Sequence, residues 1–516
     1  MIRNATVISE PGVVQERQDI LFKDGIITSL GKNLSAPPEA AIIVGDSLFV
    51  YPGFIDMASK VGVSNPPTIE KPKDFDSSNP DNYLAGIHPQ ISVLDHLDTQ
   101  HPQQAEWRKL GFAMAHKIPM GMGLLPGKTA VLGYTQPHEP MVLMDDAAVY
   151  ARFSTVGGMY PANNLGVMAK FRDLFENAKL LDIHQTQYAS QTGVRIPEKN
   201  PVLESLIPAT DRKKALYFET NTELDIGRAL RLQEEYGFKL ILGGVTEGED
   251  YISTIQARQI AAVLSLNLPE EPKQKADSTQ SEATQILSSR VSEAYESRLA
   301  LAAKYEKAGI SFAFTTKQLS KEKLFTNLRL LIEHGLSEQA ALAALTVNPA
   351  KILGIERTAG DIRVGKLANF VLSTNPIFDR EAQIKYMIVN GHVYEFDIQK
   401  SDALEATNGV EYWNYHASTP AGESSGNLAI WRESGKWKGE ITIDDPEKPG
   451  QKTIPLEDIK KSATMLSFGF SLDSRDRKIK LSVHGDVTGA SFNGTLDVMG
   501  TERFPFKAKR TEKPTT

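Results

Sequence analysis

The 516-residue sequence predicts an α/β fold: a (β/α)8 TIM-like barrel, a composite β-sandwich beside it, and a C-terminal all-β domain. Three observations lead there. From about residue 105, short apolar strands alternate with amphipathic helical stretches, which is the pattern of a parallel sheet, and the length suits a closed barrel. The first 50 residues, and those from about 360 to 400, read instead as short strands separated by turn signals. Past residue 427, alternating runs recur with turns between them, as in a small antiparallel sandwich or barrel.

Taken in order, Ile2–Val7, Asp19–Phe22 and Ile26–Leu30 are the opening strands, with Lys23-Asp24-Gly25 as a tight hairpin turn. In the middle region the strand candidates are Phe112–Ala115, Leu216–Glu219, Leu240–Gly243, Ala262–Leu266 and Ser311–Thr315. Helical stretches such as Glu223–Tyr236, Arg290–Ala308 and Lys323–His334 lie between them. Two stretches break the pattern. Val63–Gln104, rich in Pro, Asp, Asn and His, reads as an insertion over one barrel end, and the polar run Glu270–Ser288 reads as a mobile loop. Strands return at Asp361–Val364, Phe370–Ser373, Met387–Val389 and His392–Phe396, best placed beside the N-terminal strands. The expected units are therefore 1–50 with 360–400 (composite sandwich), 51–359 (barrel), 401–426 (linker) and 427–512 (β domain). The linker reading rests on Ser418–Gly426, which is made of turn and linker residues. Trp437, between two glycines, is expected to plug the end of a β core rather than to form a sugar platform.

A net charge of −7 over this length is mild and argues against nucleic acid as a partner, since phosphate binding wants a basic face. No apolar run approaches the roughly 20 residues that span a bilayer. With no cysteine, disulfides, Cys-ligated zinc and thiol nucleophiles are excluded. The N-terminus lacks a signal-peptide core, so a cytoplasmic protein is expected if Met1 is the native start, and an exported one if the chain is trimmed.

Several segments together resemble the imidazolonepropionase-like branch of the amidohydrolase superfamily. Ile2–Val7 with Phe22–Ile27 is similar to the opening strands, and Tyr51-Pro-Gly-Phe-Ile-Asp56 to the first barrel strand. Leu125-Pro-Gly-Lys-Thr-Ala-Val-Leu132 resembles the glycine-containing segment after the second strand. Leu345–Gly354 followed by Gly360–Asn369 resembles the closing helix and returning sheet. What the resemblance implies for a metal site is checked residue by residue. The His-x-His pair after Asp56 is replaced by Ala58 and Lys60. The fifth-strand His position holds Glu219, the sixth-strand one Gly244, and the eighth-strand Asp position Lys317. Zinc wants imidazole, thiolate or carboxylate donors, and one Glu with two Lys is not such a set. Small shifts of alignment do not help, because no His occurs between 185 and 333. With Ile87–Ile91, Ala115-His-Lys117, Ala303–Gly309 and the C-terminal β domain, the sequence resembles a degenerate sub-branch, the metal-ligand-lacking half of tandem amidohydrolase-like proteins.

The strand ends would bring Asp56, Lys60, His116, Lys117, Glu219, Asn221, Thr316 and Lys317 to the site face. Three readings stay open. In the first, Glu219 sits between Lys60 and Lys317 as a salt-bridged remnant of the metal site. In the second, the ammonium groups hold a small anionic ligand. In the third, metal-free catalysis survives, with Lys317 or His116 as base and Glu219 as acid. A loop-borne metal site from His88, His96 and His101 with Asp95 and Asp98 is weighed against solvated side chains, which are preferred. The expectation is a pseudoenzyme-like protein with no cofactor, its ancestral zinc site lost, that serves as assembly or regulatory partner of an active relative or forms a homo-oligomer. The alternative is an atypical hydrolase of non-peptide C–N bonds such as cyclic amides, metal-free or with a rearranged metal site.

Overall fold

In the computed structural model all residues are described except 69, 137–140, 273–281, 399–409, 420–421, 434–435, 445–450, 462–464, 475–476, 489, 499–501 and 512–516. The chain divides into two compact units, Met1–Phe378 with Ala382–Asp397, and Asp379–Glu381 with Ile398–Thr516.

The centre of the first unit is an eight-staved barrel: β1 (Phe54–Ser59), β2 (Phe112–Lys117), β3 (Ala130–Gly133), β4 (Ala148–Arg152), β5 (Ala215–Glu219), β6 (Lys239–Val245), β7 (Ala261–Ser265) and β8 (Phe312–Thr315). β4 to β8 run parallel in sequence order, and β1 pairs parallel with β2. The third stave departs from the all-parallel expectation. β3 runs antiparallel to β2, and the short strand Gly127–Lys128 just before it pairs antiparallel with β4. At the seam between β8 and β1, the Thr315 hydroxyl donates to the Ala58 carbonyl at 3.0 Å.

These staves are buried on both faces, which is why they read as continuous apolar runs rather than alternating ones. Outside them pack helices, among them Asn164–Ser190, Glu223–Tyr236, Glu282–Lys307 and Leu324–Glu333. Glu223–Tyr236 shows why such a segment is legible: the Thr222 side chain accepts from Asp225 N, and Gly237 ends the helix at φ 67°. The expected loop Glu270–Ser288 is partly corrected, because the helix already begins at Glu282; residues 273–281 lie outside the described residues.

The two faces of the composite sandwich belong to one eight-stranded sheet. It joins the N-terminal strands to Phe370–Ser373, Ile384–Val389 and His392–Glu395 through antiparallel pairing of Phe49–Pro52 with Phe370–Ser373. A core of its own, with Ile2, Val7, Val50, Phe370 and Ile388, holds it together. The Lys23-Asp24-Gly25 turn is confirmed, with φ 50° at Asp24 and 78° at Gly25, the left-handed pair that a two-residue hairpin needs. Asp361–Val364, expected as a strand, is not one, although Ile362 N still donates to the Ser9 carbonyl.

The second unit holds nine antiparallel strands in one sheet, from Val410–Thr419 to Glu502–Thr511. Here the linker reading is corrected. Val410–Thr419 and Gly422–Glu433 form a hairpin, with Ala417 opposite Ser424 and Tyr415 opposite Gly426. Trp413, Tyr415 and Ala417 alternate into the core, and the small residues opposite are there for packing. A Cβ on Gly426 would lie 2.0 Å from the Thr442 carbonyl oxygen. Trp437 packs against this core with the Lys461 ammonium 4.8 Å from its ring; Gly435 lies outside the described residues. Among the described residues, no helix is long and apolar enough to cross a membrane.

Candidate functional site

The C-terminal ends of the staves deliver the charged residues, as barrel geometry requires. β5 ends at Glu219, which is 7% exposed. Its Oε1 forms an ion pair with the Lys317 ammonium, contributed by the residue chain just past β8. Its Oε2 accepts from the Tyr150 hydroxyl on β4, and Asn221 Nδ2 donates to Oε1 at 3.3 Å. Arg152 ends β4 directly beside Glu219, its register partner across the β4–β5 ladder. The Arg152 guanidinium is fixed by two backbone carbonyls, with Nε donating to Gly123 O at 3.2 Å and Nη2 to Gly121 O. Lys60 follows β1. Among the described residues its ammonium has neither ion pair nor hydrogen-bond partner, so the expected position of Glu219 between two lysines is corrected: Lys317 alone bridges to it. Burial and the neighbouring Lys60 and Arg152 charges push the Lys317 amine down to about 7. Burial and Arg152 also lower Lys60.

Asp56 does not join this pair. It is buried, with Oδ1 accepting from Ala58 N at 3.2 Å and Thr316 N at 3.0 Å, and Oδ2 accepting from the Thr316 hydroxyl. Burial raises its pKa against those three hydrogen bonds and the Lys117 charge. Thr316 is therefore a clamp on Asp56.

His116 and Lys117 are corrected as site residues. Both are buried and diverge, because adjacent strand residues face opposite sides, and each is held by partners other than Glu219 and Lys317. His116 points inward, Nδ1 to Met57 O at 2.9 Å and Nε2 to Thr129 Oγ1 at 2.6 Å. A carbonyl only accepts, so Nδ1 carries the proton and Nε2 accepts from Thr129. Burial pushes the ring down to about 4, and with both nitrogens engaged it has no reach to a reacting atom. Lys117 points the other way, its ammonium donating to Val61 O at 2.8 Å and lying 4.7 Å from the Tyr134 ring. Burial lowers it to about 7.

Two stacked tyrosines, Tyr150 and Tyr217, with centroids 5.7 Å apart, fill the barrel below Glu219. The Tyr217 hydroxyl is buried without a partner. Its ring lies where a Cβ at Gly243 would fall, 2.1 Å from the nearest ring carbon. Gly244, the sixth-strand position, has φ +72° and offers no ligating atom. The donor set thus fits no divalent cation: one carboxylate stands among ammonium and guanidinium groups. Among the described residues no three His, Asp or Glu side chains are grouped to hold a metal ion. In the insertion, Asp95 caps the turn at Ser92, Asp98 Oδ1 accepts from Gln100 N, and His88 is buried against Tyr83 rather than solvated.

Tyr150 and Arg152 were absent from the sequence expectation because β4 was not recognised, although Ala147-Ala-Val-Tyr-Ala-Arg152 is a short apolar run ending in a cation.

Residues 268–394, which contain β8 and Lys317, match the amidohydrolase family. That segment is of the amidohydrolase family. Its fold is similar to that of an amidohydrolase from Thermotoga maritima, with a TM-score of 0.61, 22% identity, and coverage of 77% of this chain and 99% of that one. A prolidase complexed with N-methylphosphonate-L-proline follows at TM-score 0.46 and 16% identity over 77% and 99% of the two chains. Molinate hydrolase follows at 0.40 and 14% over 76% and 94%. No curated protein matches the sequence. The matched residues supply β8 and Lys317; the residues at the barrel mouth depart from the ligand set that the sequence resemblance implies.

Proposed function

We propose that this amidohydrolase-fold protein has lost metal-dependent hydrolysis and acts as an assembly or regulatory partner of a metal-bearing relative, consistent with the degenerate sub-branch that its motifs resemble. One observation carries the reading. The Lys317 ammonium neutralises Glu219 at the strand ends where ligands are expected, so a second cation there would face repulsion instead of a vacant donor set. The test combines two measurements on the intact protein. Turnover of Xaa-Pro dipeptides and cyclic amides, with and without added zinc or manganese, is expected to stay at background. A pull-down from the native organism is expected to recover a metal-bearing amidohydrolase, and mixing the two is expected to change that enzyme's activity or its oligomeric state. Metal-dependent turnover by the isolated chain contradicts the reading.

A second reading is favoured by Lys317 itself. An amine with its pKa at about 7 is partly neutral near physiological pH and could serve as a general base for C–N bond hydrolysis without metal. Metal-independent turnover abolished by both Lys317→Met and Glu219→Gln would establish it in place of the first.

A further inference from the structure

We propose that the barrel mouth is a receptor site for a small dianion, a phosphate monoester or a dicarboxylate, held by Lys60, Lys317 and Arg152 above Glu219. The inference rests on the metal-free reading of this mouth, and goes beyond it by naming what the mouth binds.

Charge balance is the first argument. Three cations come from the ends of β1, β4 and β8, and among the described residues the carboxylate paired with them is Glu219. Asp56 stands outside this group: burial raises its pKa, and its oxygens accept from Thr316 and Ala58 N rather than from any of the three cations. With all three groups protonated, the excess is two positive charges. Partly buried like charges destabilise one another unless a counter-charge joins them. A dianion supplies it.

Unused donors are the second argument. The Lys60 ammonium has no partner among the described residues. Lys317 engages one carboxylate oxygen, which leaves ammonium hydrogens over. The carbonyls of Gly121 and Gly123 hold Arg152 through Nε and Nη2, so its orientation is set in advance and Nη1 is left over. At the floor, the Tyr217 hydroxyl is buried and unpartnered beside Gly243, the register partner of Glu219. Buried donors without partners are uncommon in native proteins and mark places where a ligand or water completes the set.

A site built this way takes up protons on binding. Burial, with added repulsion from Arg152 on both and from Lys60 on Lys317, lowers these amines, and a bound anion offsets it, so their ammonium forms are favoured at mildly alkaline pH. Surface adsorption of an anion gives no such uptake.

The experiment is isothermal titration of the intact protein at pH 8 with glycerol 3-phosphate, succinate and acetate. It is run at matched chloride in two buffers of different ionisation enthalpy, with metal content measured on the same preparation. A dianion is expected to bind one-to-one with proton uptake, and acetate to bind at least ~10-fold more weakly, as loss of one charge contact predicts. Lys60→Met, which breaks no observed pairing, is expected to melt no lower than the parent and to bind ~10-fold more weakly. Tighter binding of glycerol 3-phosphate assigns a phosphate monoester; tighter binding of succinate assigns a dicarboxylate. If neither dianion binds to metal-free protein, or Lys60→Met binds as the parent does, the inference is wrong while the metal-free reading stands. If the preparation carries a stoichiometric metal, that reading fails first.

Discussion

Glu219 is the residue on which the mouth turns, since three side chains converge on its two oxygens. Lys317→Ala removes the charged one and leaves a carboxylate 7% exposed with only Tyr150 and Asn221. Breaking a buried pair from one side costs about 3 kcal/mol, and urea denaturation is expected to show a loss of that order. A neutral or stabilising Lys317→Ala would mean that the pair contributes nothing to the fold. His116 makes a separate prediction about pH. Its folded pKa is lowered to about 4, against roughly 6.5 in the unfolded chain. Between those values the unfolded state holds more protons, so stability falls as pH falls from about 6.5 to about 4, by about 3 kcal/mol. Denaturation at pH 7, 5.5 and 4.5 checks the slope, and His116→Gln is expected to flatten it; an unchanged slope would assign it to other groups. Both residues were legible as candidates, because the strand resemblance placed them. That His116 is sealed by Met57 and Thr129 was not, since the antiparallel turn that brings Thr129 back has no signature in residue type.

At the scale of elements, β5 and β6 are matched in shape. The Tyr217 ring on β5 occupies the space that a side chain at position 243 would need, and only glycine leaves it. Gly243→Ala is expected to cost about 2 kcal/mol by overpacking, and Tyr217→Leu with Gly243→Ala to cost less than the sum of the two. Additive effects in denaturation would show that the ring and the glycine are independent. Long periodic elements were readable: Glu223–Tyr236 carries its own Thr222 and Gly237 stops, and β5 to β8 carry apolar runs of the right length. Two kinds of element escaped. β4 is as long as β5, but no helix precedes it to mark a strand–helix unit, and its omission hid Tyr150 and Arg152. The first hairpin of the β domain was taken for linker because glycine and serine signal flexibility as readily as close strand packing, and only the partner strand distinguishes them.

For the whole molecule, the division into two units has an energetic basis, because Trp413, Phe468 and Phe506 form a core containing no residue from before 413. A fragment of residues 398–516 is accordingly expected to fold alone with a cooperative melt, measured by circular dichroism; a fragment without a transition would contradict that independence. The (β/α)8 plan, the composite sheet and the β domain were legible from patterning and motif order, whereas the chemistry of the mouth depends on which strand ends meet. The central claim is that the amidohydrolase metal site has become a cation-lined pocket organised on Glu219. Elemental analysis of protein purified without chelator tests it most directly. Zinc, manganese and iron well below one equivalent per chain are predicted, and one tightly held equivalent, lost on Glu219→Gln, would contradict the account.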